Sequence, residues 1–360
     1  MWLPSVKTIA RGFLCLAVVV LAAMLLYQAS HAHITGTSQT NKYDLAFNQL
    51  LKPPQQPHLA PLSNETENSI FADEEEVYKQ RKRALYAACI TDNRSGEEDH
   101  YMHSVIADDK HRLLYCTVPR DGSRNMLRTL VALRGDMPRA PIDVPASSVY
   151  ASHGFPVLGA YAPGRRQHML REYTKLLVVR NPFERVLSAY SVFATHAKEL
   201  SEDSARLYTH FRRYVAERYG RGDVTQKSDG TANVTFAAFV RYLTDPRTRR
   251  ADPLSLTSDG SMNPHWIPIT ERCAPCSVRY DVIVRLETFA RESGYLLRRL
   301  NASGLVEPPP PQLSYSPSSR VAKMRQHYAE LNELDVLKLR RLYERDFKLF
   351  QYNDSLDLST

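Results

Sequence analysis

The chain predicts an α/β domain carried behind an N-terminal membrane anchor and a polar stalk, and three observations point to that fold. From about Tyr101 onward, short β-branched or Leu-rich runs such as 113–118 and 175–179 alternate with helical patterns, the signature of a mostly parallel sheet. Hydrophobic residues form 43% of the 360 and charged residues 24%, enough for one large core or two small ones and unlike a disordered chain. Five cysteines are too few for a disulfide-built scaffold or for repeated zinc modules, so a hydrophobic core must carry the stability.

Lys7 and Arg11 precede an apolar run over residues 12–27, GFLCLAVVVLAAMLLY. At about 1.5 Å per residue this run with its flanks just crosses a hydrocarbon core of about 30 Å, and the positive charge before it leaves the N-terminus cytosolic. The expected organisation is a cytosolic tail over 1–11, a signal-anchor helix over 12–29, a luminal stem over 30–100, a folded domain over 101–353 and a tail over 354–360. A cleaved signal peptide is the rival, because Ser30 and Ala32 are small residues at cleavage-like spacing; the length of the apolar run favours the anchor. Sequons at Asn64, Asn93, Asn233, Asn301 and Asn353 agree with a luminal body.

Within the stem, Pro53, Pro54, Pro57 and Pro61 mark an extended stalk. Acidic residues 73–76 followed by Lys79, Arg81, Lys82 and Arg83 have the i,i+4 spacing of a solvated helix. Cys15 falls in the anchor, leaving Cys89, Cys116, Cys273 and Cys276 for the luminal side. Cys273 and Cys276 have the spacing of half a zinc site, but no second closely spaced Cys pair completes it, so disulfides or buried thiols are expected and no metal. At the far end, Pro308 to Pro311 open a loop, after which Leu331, Leu334, Val336, Leu337, Leu342 and Leu349 recur at near-helical spacing within 321–350.

Two segments carry the chemistry. In the first, a strand over 113–118 runs into Pro119, Arg120, Asp121, Gly122, Ser123, Arg124 and Asn125, then into a helical stretch. Loop and helix N–H groups there face an anion, Gly122 lets the backbone approach closely, and two arginines add charge. The G-x-x-x-x-G-K-[ST] spacing is absent, which argues against a kinase or ATPase. In the second, a strand over 175–179 runs into Arg180, Asn181 and Pro182 and a helix bearing Ser188. Asn181 can cap, Pro182 suits the first helical position, and Arg180 with Ser188 could hold a second anion; the alternative is that Glu184 and Arg185 form surface pairs and Ser188 bonds back to its helix.

These two segments resemble the 5′-phosphosulfate and 3′-phosphate loops of the Golgi carbohydrate sulfotransferases, in the family that includes the chondroitin and dermatan 4-O-sulfotransferases. The resemblance extends to the lead-in over 108–116, to His265-Trp266-x-Pro268 with Cys273-x-Pro275-Cys276 and Tyr280-Asp281, and to the closing Tyr343-x-x-Asp346-Phe347-x-Leu349-Phe350-x-Tyr352. It implies a three-layer, P-loop-like sulfotransferase domain around a parallel sheet, with 3′-phosphoadenosine 5′-phosphosulfate as the sulfuryl donor. It places 119–125 around the phosphosulfate, Arg180 and Ser188 on the 3′-phosphate, and Arg120 among the catalytic groups. The family's usual Lys, Thr and Trp are Arg120, Arg124 and Met126 in this chain. Arginine keeps the charge, but its planar fork does not place one compact ammonium as lysine does, so a silent glycan- or donor-binding relative is an alternative to an active enzyme.

Transfer to a hydroxyl needs a base, and His265 in its Pro-flanked loop is the candidate, with Trp266 able either to stack on sugar or to pack the loop. His111 and His153 are weaker candidates, and Glu287 could pair with an arginine. Arg206, Arg212, Arg213, Arg247, Arg249 and Arg250 cluster in the segment least like the family, and the 247–250 group is expected to contact an acidic glycan acceptor. A Golgi glycosyltransferase is a further alternative, but no Asp-x-Asp for a nucleotide-bound cation occurs in the chain. The net charge is +8; residues 1–100 hold nine Lys and Arg against eleven Asp and Glu, so the basic excess belongs to residues 101–360. Anionic partners are expected, an acidic glycan and a membrane rather than nucleic acid.

Overall fold

The structure, a computed structural model, describes residues 64–92, 99–135, 140–145, 149, 154–195, 202–222, 225–226, 230–255, 261–307 and 317–356. The expected anchor over 12–29 lies outside them, and no helix among the described residues is long and apolar enough to cross a membrane. Four strands form the sheet in the order β1 (Val105–Asp108), β2 (Leu113–Cys116), β3 (Thr174–Val179) and β4 (Val282–Arg285). β2, β3 and β4 are parallel, while β1 pairs antiparallel with β2. The expected parallel sheet therefore carries an antiparallel edge. The turn between β1 and β2 is far too short for a crossover helix, so antiparallel pairing is the geometry within reach.

Side chains alternate across the strands and divide between two cores. Leu113, Tyr115, Leu176, Val178, Val282 and Val284 pack with Leu130 and Val131 of α2 (Ser123–Arg134) and with Leu296 of α10 (Phe289–Arg299). Leu114, Cys116, Leu177, Val179 and Ile283 pack with Met169 of α3 (Pro163–Glu172) and Ile269 of α8 (Ile269–Cys273). Helices thus cover both faces of the sheet. A third, aromatic cluster joins α4 (Pro182–Thr195), α5 (Glu202–Tyr219), α6 (Phe236–Thr244) and the C-terminal helices through Phe193, Phe211, Phe239, Trp266 and Phe347.

The helix expected to be solvated, α1 (Asn64–Ile90), is instead packed on the domain. Arg81 reaches Glu292 at 2.7 Å and Lys82 reaches Asp281 at 2.7 Å, while Tyr78 and Leu85 are buried. Opposite charges on its surface have found partners some two hundred residues away as well as along the helix, where Lys79 lies 4.0 Å from Glu75. Disulfides close Cys89 to Cys276 of α9 (Pro275–Val278) and Cys116 to Cys273, which removes the half zinc site and fixes the pairing that the sequence leaves open.

The single closing helix expected over 321–350 is three: α11 (Pro317–Tyr328), α12 (Glu333–Leu342) and α13 (Glu344–Leu349). Asn332 starts a new helix because its side chain accepts the Asp335 N–H at 2.8 Å. The break rotates the stripe, so Leu339 and Leu349 are buried while Leu334 and Leu337 stay more than half exposed.

Candidate active site

The carboxyl ends of β2, β3 and β4 lie side by side, the usual place for a ligand in an open parallel sheet. The first loop leaves β2 at Cys116 and reaches α2 through two left-handed residues, Arg120 (φ 75°) and Gly122 (φ 76°). Glycine adopts that conformation without steric cost and arginine does not. Gly122 is the N-cap of α2 and supplies no side chain to it, so the positive end of the helix is presented through backbone N–H groups. The N–H groups of Asn125 and Met126 turn back to the Gly122 carbonyl at 2.9 and 3.2 Å. Pro119, Ser123 and Asn125 are half-buried and Arg124 is exposed.

The second loop is built as its residues predict. Asn181 Oδ1 accepts the N–H groups of Phe183 (2.9 Å) and Glu184 (3.4 Å), and Pro182 opens α4. Arg180 lies 3.5 Å from Glu184, and half-buried Ser188 follows one turn later on the same helix face. Arg180 Nη1 also donates to the Arg120 carbonyl at 3.0 Å, so the two loops are joined directly. Glu287, expected to pair with an arginine, accepts the Asn181 N–H at 2.8 Å and the Tyr352 hydroxyl at 2.9 Å. The C-terminal segment thereby braces the second loop, a link across 65 and 106 residues that no local pattern announces.

Asp121 does not face an anion. Its carboxyl is fully buried beneath the first loop, 3.2 Å from the Arg185 Nε, and burial pushes it above the usual carboxylate range against the pull of Arg185 and Arg180. Arg185, which the sequence suggests as a surface ion-pair residue, is 1% exposed. It lies on the apolar stripe of α4 with Ala189 and Phe193, and that spacing is the signal in the sequence for its burial. Its guanidinium donates to Ile267 O at 2.6 Å, Pro264 O at 3.1 Å and Pro119 O at 3.4 Å.

His265 sits in the loop that Arg185 holds. Its Nδ1 is 2.8 Å from Asn263 Oδ1, an amide oxygen that can only accept, which leaves the proton on Nδ1 and a lone pair on Nε2. Burial, then the charges of Arg120, Arg185 and Arg272, push the imidazole down to about 4, so it is neutral near pH 7. Arg272 is itself anchored, its Nε donating to Thr117 O at 2.7 Å. Trp266 takes the packing role and not the sugar-stacking one: it is 1% exposed and its indole N–H donates to Asp252 at 2.8 Å. Arg120, His265 and the first loop are thus one neighbourhood, with Arg180 joined to it.

His111 is paired with Asp108 at 2.6 Å, a structural contact at the end of β1. Arg212 is buried, donating to Phe193 O at 2.6 Å, and is not part of a solvated basic face. In α7 (Pro246–Arg250), Arg247 pairs with Asp245 at 2.9 Å and Arg249 with Glu271 at 2.6 Å, while Arg250 is exposed. His153 and the side chain of Arg206 lie outside the described residues. Among the described residues no group of His, Cys, Asp and Glu could hold a metal ion.

The Sulfotransferase family matches residues 103–353. Carbohydrate sulfotransferase 10 of Xenopus laevis is 26% identical over 337 residues, covering 91% of this chain and 89% of the relative. Carbohydrate sulfotransferase 11 of Rattus norvegicus is 28% identical over 252 residues, covering 69% and 67%. Human carbohydrate sulfotransferase 10 is 28% identical over 286 residues, covering 77% and 76%. No solved structure matches the chain.

Proposed function

The chain belongs to the Sulfotransferase family, and on that premise we propose that it moves a sulfuryl group from 3′-phosphoadenosine 5′-phosphosulfate to a sugar hydroxyl of a glycan, either a chondroitin/dermatan-type chain or an N-glycan GalNAc. The carbohydrate acceptor is supported by the relatives, which are named carbohydrate sulfotransferases. The observation that carries the reading is the direct joining of two strand-to-helix loops at the carboxyl edge of the sheet, Arg180 Nη1 on Arg120 O at 3.0 Å. Each loop opens a helix N-terminus, and a doubly phosphorylated nucleotide needs two anion sites at a fixed separation.

In this reading the first loop and the start of α2 take the phosphosulfate, and Arg180 and Ser188 take the 3′-phosphate. The donor supplies a sulfur bonded to a good leaving oxygen. The acceptor oxygen bonds to that sulfur as the bond to the phosphate oxygen breaks, in line, and the leaving bisphosphate gains the negative charge. Arg120 and the positive end of α2 stabilise that charge, while His265 Nε2 accepts the proton of the acceptor hydroxyl. The imidazole is already unprotonated at neutral pH and so is free to accept, while its lowered basicity weakens its pull on the proton. A luminal Golgi setting, with an anchor over 12–29, is part of the same proposal and agrees with the two disulfides and the sequons.

The test is transfer of radiolabelled sulfate to a panel of desulfated glycans by the purified luminal chain, beside Arg120→Ala and Ser188→Ala variants. Transfer that is lost in both variants is expected. Donor binding without transfer to any acceptor would overturn the enzymatic reading in favour of a silent binding relative, and wild-type donor affinity in Ser188→Ala would remove the second loop from the site.

A further inference from the structure

The guanidinium of Arg185 is the meeting point of three segments that are far apart in sequence. Its own helix, α4, continues from the second loop. Its Nε lies 3.2 Å from Asp121 Oδ1 and 3.4 Å from Pro119 O in the first loop. Its Nη1 and Nη2 lie 2.6 Å from Ile267 O and 3.1 Å from Pro264 O, the carbonyls that flank His265 and Trp266. All these partners belong to the protein, and at 1% exposure the side chain has no surface left for a substrate.

A guanidinium is planar and rigid, so groups bonded to its Nε and groups bonded to its two Nη atoms are held at a nearly constant separation. The distance being fixed is the one between the loop that carries Arg120 and the loop that carries His265. We propose that Arg185 is a positioning residue for sulfuryl transfer, setting where the His265 base stands relative to the donor loop while touching neither substrate. The proposal rests on the function proposed for this site, in which these two loops hold the leaving group and the base. Near-attack geometry is sensitive to displacements of about 1 Å, which can cost about 10²-fold in rate. A lysine at 185 would keep the buried charge beside Asp121 but lacks the fork that spans both loops. A glutamine would lose the charge as well.

The charged groups that face His265 are Arg120 from the first loop, Arg185 from α4 and Arg272 from α8, and all three lower its pKa. Two variants therefore separate the effects of geometry and charge. In the full chain, R185K should lower kcat by about 10²-fold while binding adenosine 3′,5′-bisphosphate within a few-fold of the wild type. R185Q should do the same and also move the acid limb of the kcat/KM profile upward, from near 4 toward the ordinary histidine range, because one of the three depressing charges is gone. Far-UV circular dichroism and melting establish that each variant is folded. A folded R185K with kcat within about threefold of the wild type would overturn the proposal, as would an R185Q whose acid limb stays in place. If R185Q does not fold, R185K decides the geometric claim alone. If neither folds, the isosteric D121N decides it through the same split between turnover and bisphosphate binding, and an unchanged turnover counts against it. Failure of the underlying functional reading shows itself separately, as a wild-type chain that binds no bisphosphate or transfers no sulfate.

Discussion

Replacing Arg120 by glycine should leave the protein more stable than replacing it by alanine, and less active than the wild type. Arg120 has φ 75°, a left-handed conformation that costs an L-residue roughly 1–2 kcal/mol and glycine nothing. Alanine at the same position keeps the Cβ and with it the strain, and both substitutions remove the same side-chain contacts. The difference between R120G and R120A therefore isolates the backbone, at about 1 kcal/mol in favour of glycine. For a domain of this size that is a melting difference of roughly 2–4 °C, well within the reach of differential scanning calorimetry. Transfer should respond in the opposite direction. Both variants lose the cation proposed to meet the leaving oxygen, and loss of one such preorganised group costs about 10²–10³-fold in kcat. R120K, which supplies the compact ammonium usual in the family, should restore turnover in part. Equal melting temperatures for the glycine and alanine variants would refute the strain assignment. Wild-type turnover in either would remove Arg120 from the chemistry.

Three further outcomes follow from the contacts described. A chain beginning at Asn64 should fold, whereas one beginning after Asp92 loses the Cys89–Cys276 disulfide and the buried Tyr78 and Leu85 besides Arg81, whose removal from the buried carboxylate of Glu292 alone costs about 3–5 kcal/mol; equal urea midpoints for the two would refute a packed α1. Tyr352→Phe leaves one oxygen of Glu287 without its hydroxyl partner at a cost of about 1–3 kcal/mol, which calorimetry should detect as weaker binding of adenosine 3′,5′-bisphosphate through a loosened second loop. Unaltered affinity would show that the brace does not reach the site. His265 is held down to about 4 in the folded chain against about 6.5 when unfolded, so between those values the unfolded state binds the extra proton. Stability should accordingly be complete above pH 6.5 and fall as the pH drops toward 4, by up to about 3 kcal/mol. H265Q should flatten that part of the denaturation profile, and a slope unchanged by the substitution would contradict the assignment.

The two loops were legible in the sequence because their signals are local. Asn181 before Pro182 is a cap whose meaning is complete within four residues, and a Gly between a strand and a helix needs no distant partner to be interpreted. The antiparallel edge was legible in principle as well, since the short turn between 108 and 113 leaves no room for a crossover. What stayed hidden depends on partners that sequence distance conceals. The charges of α1 match i,i+4 pairing, yet Glu292 and Asp281 compete for Arg81 and Lys82 more effectively because they sit where water is partly excluded. Arg185 resembled a surface residue because its compensating carbonyls lie 79 and 82 residues downstream. Trp266 could be assigned to packing only once Asp252 was known to accept its N–H.

The basic excess of residues 101–360 takes on a different meaning at the site. Arg180 lies against Glu184 and Arg185 against Asp121, so both of these guanidinium groups have acidic side chains beside them. Counting charges would therefore overstate the field available to a phosphosulfate. The positive ends of α2 and α4 add dipoles that are fixed by the fold and need no reorganisation when charge develops. The paired arginines also act mechanically, Arg180 fixing the first loop to the second and Arg185 fixing the first loop to that of His265. An ion pair buried for its own sake contributes little stability, because desolvation offsets the attraction. One that holds three loops in a single register is retained for the geometry it enforces, and an in-line transfer depends on that geometry more than on net charge.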